Sequence, residues 1–152
     1  MTWSNAFNAA LQLLKTRERS EKELADRLQR KGFSVDAVTA AIERCRELGY
    51  VDDGRFARCR ARHLLTSGRA VGPRLRRELH NAGITGAVIE QTLAELNEDY
   101  SETELLAELL QRRYPAFDYR QADDREKRRV VNYFLRRGFA LANVMDQLKQ
   151  QA

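Results

Sequence analysis

The stretch LADRLQRKGF, residues 24–33, decides the fold, because its pattern returns as LRRELHNAGI at 75–84 and VVNYFLRRGF at 130–139. The starts lie 51 and 55 residues apart. In each copy two hydrophobes stand four apart, Leu24 and Leu28, Leu75 and Leu79, Val130 and Phe134, which puts them on one face of a helix. A glycine follows four residues later, at Gly32, Gly83 and Gly138. That is where a helix wants a residue with positive φ, and the hydrophobe after it closes back on the last turn. The register runs on without a gap. Val38, Ile89 and Val144 stand six residues past the glycine, and Ile42, Leu93 and Leu148 stand ten past it. Each copy therefore predicts a helix, a glycine turn and a second helix.

An amphipathic segment precedes each pair, at about 4–16, 53–66 and 101–113, so the unit is a three-helix module. Ser20-Glu-Lys-Glu23 forms a capping box for the second helix of the first module. Gly72-Pro73 places a proline in the first turn of its counterpart. Asp52 or Asp53 can cap the helix that opens the second module, and Asp123 or Asp124 the helix after the long 114–122 connection. The expected fold is all-α, an elongated, curved array of nine helices in three tandem modules, 1–53, 54–99 and 100–152.

The 152 residues are rich in Ala, Leu, Arg, Glu and Gln and hold only two prolines, a composition that suits helices. Cys45 and Cys59 do not make a disulfide framework, and no secretory signal opens the sequence. They read as reduced thiols in a cytoplasmic protein. No apolar run approaches the roughly 18 residues of a membrane span.

The net charge of +5 favours a polyanionic partner mildly, and its distribution says more. Residues 1–53 hold nine basic and nine acidic side chains, 54–99 eight and five, and 100–152 ten and eight. All eight in the middle module are Arg, which forks onto phosphate or carboxylate and is less hydrated than Lys. Arg55, Arg58 and Arg62 fall in one sector of the first helix of that module. Arg69, Arg74, Arg76 and Arg77 lead into the next helix. Lys127, Arg128 and Arg129, with Arg136 and Arg137 two turns on, make a further cluster. These twelve are the candidate partner- or nucleic-acid-binding residues, and charge alone leaves phosphate and carboxylate partners both open. The helix–glycine–helix unit also invites a DNA-reading interpretation, although any three-helix unit contains such a pair and no distinctive turn motif is present.

Catalysis finds no support. The sequence has no glycine-rich phosphate loop, no HExxH and no paired-cysteine metal spacing, so neither cofactor nor metal is expected. Both cysteines are expected in the core. Phe56, Cys59 and His63 are expected to form the buried face of their helix, with Arg60 at its edge. Trp3, Phe7, Phe56, Tyr133 and Phe134 are also expected to be core residues.

Several stretches together resemble the RecX family of bacterial regulators of the RecA recombinase. They are Arg19–Leu24 with Leu28–Phe33, Leu48-Gly-Tyr-Val-Asp-Asp-Gly-Arg-Phe-Ala57, Gly72–Leu79 with Gly83-Ile84, and Phe134–Phe139. The likeness spans about residues 8–149. Ala70-Val71 departs from it, standing where the family often has a glycine and an aromatic. The resemblance implies a non-enzymatic protein that binds the RecA–DNA filament, inhibits strand exchange and ATP hydrolysis, and tempers recombination, DNA repair and the SOS response. It implies the RecA filament as partner and leaves contact with single- or double-stranded DNA open. A monomer without membrane association is expected.

Overall fold

The structure, a computed structural model, describes residues 3–150, and among them are nine α-helices and no strand. The helices are α1 (Trp3–Thr16), α2 (Glu21–Arg30), α3 (Val35–Glu47), α4 (Asp53–Thr66), α5 (Gly72–Asn81), α6 (Gly86–Asp99), α7 (Glu102–Arg113), α8 (Asp124–Arg136) and α9 (Leu141–Gln150). The chain divides into two compact units. Unit 1 comprises residues 1–60 and 79–92, and unit 2 comprises 61–78 and 93–152.

The repeated glycine turn forms as its sequence demands, at α2–α3, α5–α6 and α8–α9. Gly32, Gly83 and Gly138 have φ of 99°, 86° and 102°. The amide after each glycine donates to the first carbonyl of the last turn: Phe33 to Leu28 (3.3 Å), Ile84 to Leu79 (3.1 Å) and Phe139 to Phe134 (3.3 Å). This is the six-to-one Schellman bond, and it recruits the carbonyl of a core residue each time.

The first core sits in unit 1, where Ala10, Leu13, Leu24, Leu28, Val38, Ile42, Cys45 and Val51 pack together. Leu24, Leu28 and Cys45 have no accessible surface. Truncating such a leucine to Ala costs about 2–5 kcal/mol. In unit 2, α7 and α8 both pack on α9. There Val130, Phe134, Phe139, Val144 and Leu148 are buried. Phe134 meets Phe139, Tyr133 and Tyr114 edge to face, with centroids 5.2–6.3 Å apart. Every hydrophobe of the repeated register is buried except Phe33, which is half-buried.

The caps fall at the expected places. Ser20 closes a capping box with Glu23 on α2, and Asp123 accepts from the Glu126 amide on α8 (2.8 Å). Asp52 caps α4, accepting from the Arg55 amide (3.0 Å). Asp53 does something else: it accepts from the Glu21 amide at the start of α2 (2.8 Å), binding α4 to α2.

Three expectations fail. Cys59 and His63 are exposed, and the buried stripe of α4 is Phe56, Ala57, Ala61, Leu64 and Leu65. Alanines, not the larger side chains, mark that face. Small residues let a helix approach its neighbours closely, a demand that hydrophobicity alone does not show. Cys59 is accordingly no core thiol, whereas Cys45 is buried and burial pushes its thiol pKa up. Trp3 is half-exposed, with only an edge contact to Phe7 at 6.1 Å. Arg60, expected at the core edge, is exposed.

Candidate functional site

Unit 2 brings together two arginine groups that stand about sixty residues apart in sequence. The device is a meeting of two turns. The Val71 amide, just before α5, donates to the Arg137 carbonyl at 2.8 Å. Gly138 then lies directly against Val71 and Arg74. A Cβ there would overlap the Val71 carbonyl oxygen and come within 2.9 Å of Arg74 Cβ. Gly138 is thus required twice, for its positive φ and for the absence of a side chain.

Beside this meeting point opens a cleft of about 810 Å³, a size typical of ligand sites. Its walls carry Arg69, Arg74, Arg77, Arg136 and Arg137, and no acidic residue lines it. Its apolar floor includes Pro73, Leu135, Phe139 and Ala140. Leu135 is one of the few large hydrophobes left exposed. The arginines are not equivalent. Arg74 pairs with Glu78 at 3.1 Å along α5. Arg137 stacks on the Tyr133 ring with its guanidinium carbon 3.4 Å from the centroid, and donates to the Tyr133 carbonyl at 2.8 Å. Arg69, Arg77 and Arg136 are exposed, and their guanidinium groups make no hydrogen bond or ion pair among the described residues. Three uncommitted guanidinia over an apolar floor can bind a polyanion without giving up an internal bond.

The other predicted residues lie elsewhere. Arg76 faces a separate cavity of about 90 Å³ that also exposes Glu102 and Tyr100. Lys127 sits 4.2 Å over the Tyr119 ring, and Arg128 and Arg129 are exposed on α8. Arg58 and Arg62 are exposed about one turn apart on α4. Arg55 is engaged inside unit 1. Its Nε donates to Glu18 at 2.7 Å, and its other nitrogens donate to the Gly49 (3.1 Å) and Tyr50 (3.3 Å) carbonyls. The Glu18 hydrogen bond holds its guanidinium above the ordinary arginine range. Its guanidinium is thereby committed to tying Glu18 to the turn before α4.

The sequence marks the arginines but misses Leu135, Phe139 and Ala140 as cleft residues. They stand in or next to the repeated glycine turn, and only the meeting of the two turns makes them part of a cleft. No group of acidic, histidine or cysteine side chains among the described residues could hold a metal ion. No described helix is long and apolar enough to cross a membrane.

Unit 1 holds a joint of the same design. Ser20 Oγ donates to the Ala82 carbonyl at 2.6 Å, and Gly83 lies against Lys22. Ser20 corresponds to Val71 and Ala82 to Arg137 in the repeat register. Here too the turn before one module's glycine is received at the start of the preceding module's second helix. Fold and site define an all-α repeat protein that carries a cationic cleft in unit 2.

Residues 6–45 match the RecX first three-helix domain. The chain is 49% identical to a regulatory protein RecX of Syntrophotalea carbinolica over 97% of both chains. It is 36% identical to that of Trichlorobacter lovleyi, over 90% of this chain and 88% of the relative. Its fold matches a crystal structure of RecX from Lactobacillus salivarius with a TM-score of 0.73 at 24% identity, covering 98% of this chain and 96% of that one. The chain belongs to the RecX family of regulatory proteins.

Proposed function

We propose that this protein binds the RecA–DNA filament and inhibits its strand exchange and ATP hydrolysis. It would thereby modulate homologous recombination, DNA repair and the SOS response. The reading treats residues 1–53, 54–99 and 100–152 as its three working modules, acting as a non-enzymatic monomer in the cytoplasm. Family membership supports the regulatory role. The observation that carries the contact chemistry is the cleft with five arginines and no carboxylate, suited to an anionic partner surface.

The test is a titration of this protein into RecA assembled on single-stranded DNA, following ATP hydrolysis. Inhibition is expected below one regulator per recombinase subunit, because a bound regulator that touches several subunits acts on all of them. Unchanged hydrolysis at equimolar protein would sink the reading. In the same assay Arg58→Glu with Arg62→Glu probes the exposed face of α4. Arg55 is left intact there, since its reversal would break the bond to Glu18.

A further inference from the structure

We infer that the cleft of unit 2 is a binding site for the phosphodiester backbone of single-stranded nucleic acid. The inference deepens the proposed function and rests on it for the biological setting. It concerns a contact made by unit 2 alone.

Four observations carry it. Five guanidinia line one cleft and no carboxylate does, so a polyanion is attracted and nothing in the wall repels it. The guanidinium groups of Arg69, Arg77 and Arg136 have no partner among the described residues to surrender. The lining also includes apolar residues, among them the exposed Leu135 and Pro73. A single strand presents phosphates and unstacked base or sugar faces within one stretch, and this cleft offers a surface to each. A duplex hides its base faces, and an acidic peptide would leave the apolar floor wet. Finally, α9 begins at the cleft rim. Ala140, at its N-cap position, brings no side-chain acceptor to the free amides of the first turn. A helix start at the cleft lining favours negative charge near its first amides.

The joint at the repeat glycine turn occurs at Gly83 and at Gly138 with different neighbours. In unit 1 the joint is flanked by Glu21, Lys22 and Glu23, of mixed sign, and is structural. In unit 2 the equivalent joint sets Arg69, Arg74 and Arg77 beside Arg136 and Arg137.

The test uses the full chain and a labelled oligodeoxythymidine strand, with anisotropy read at several salt concentrations. Arg69→Ala, Arg77→Ala and Arg136→Ala combined should weaken binding on the order of ten- to a hundredfold. They should also lower the slope of log affinity against log salt by about 2, at about 0.7 per lost phosphate contact. The corresponding triple lysine variant should restore most of the slope. Arg30→Ala with Lys31→Ala, an exposed basic pair away from the cleft, should leave both quantities as in the wild type. Circular dichroism melting of each variant separates loss of binding from loss of fold. Wild-type affinity in the triple alanine variant, equal binding of polyglutamate, or tighter binding of a duplex of equal length would overturn the assignment. Recombinase ATPase is read separately. Failure of strand binding with inhibition intact would reject this site alone, and loss of inhibition with strand binding intact would reject the regulatory reading alone.

Discussion

Gly138 concentrates several demands in one residue. Its φ of 102° is a region that L side chains rarely adopt. Its α-carbon faces Val71 and Arg74 with no room for a methyl group. Gly138→Ala therefore adds left-handed strain to a backbone clash, together at least about 2 kcal/mol. In a chain of this size that lowers Tm by about 4–8 °C, measurable by circular dichroism. Moving the turn off Val71 also separates Arg136 and Arg137 from Arg69 and Arg77, so strand affinity should fall in the fraction that remains folded. A variant with unchanged Tm would show that the two turns do not meet as described. The glycine itself is legible in the sequence from its place in the repeat. Its contact is not, because Val71 belongs to a different module and carries no mark of pairing.

At the scale of elements, the caps show how one residue type serves two purposes. Asp52 and Asp53 are chemically alike and adjacent, and the sequence cannot apportion them. The structure gives Asp52 to α4 and Asp53 to the start of α2. Their pKa values diverge accordingly. The Arg55 amide bond holds Asp52 below the usual carboxylate range, whereas burial lifts Asp53 above it against the pull of the Glu21 amide. A carboxyl whose pKa is higher folded than unfolded destabilises the fold when ionised, and that cost fades as pH falls. Asp53→Asn keeps the acceptor oxygen and removes the charge. Its Tm at pH 7 should equal or exceed the wild type, and the margin should shrink on acidification, as the wild-type carboxyl takes up its proton. Asp53→Ala, which loses the acceptor, should melt lower at both pH values. A margin that widens on acidification would contradict the buried, bond-accepting role. The α4 stripe makes a related point: the alanines that form its buried face count little in a hydrophobicity pattern, while Cys59 and His63 lie on the exposed side.

At the scale of the whole molecule, two joints of the same design have different consequences. Gly83→Ala would press on Lys22, where a Cβ would come within 2.5 Å of Lys22 Cβ. It should lower Tm about as much as Gly138→Ala, yet leave single-strand affinity of the folded protein unchanged, because no arginine cluster flanks that joint. Comparable losses of affinity in both variants would mean that the cleft is not the strand contact.

The sequence by itself determined the helices, their three glycine turns, the buried register and the arginine-rich character of the middle module. Those features are local: they follow from the 3.6-residue period, from the φ that a C-cap requires and from side-chain charge, all of which act within a few turns of chain. Only the tertiary structure decided which arginines form a site. It withdrew Arg55 into a bond with Glu18, turned Arg76 toward another cavity and joined Arg69, Arg74 and Arg77 to Arg136 and Arg137. That choice depends on the close approach of two turns more than sixty residues apart, set by hard-sphere contact at a glycine, a constraint that no periodicity along the chain expresses.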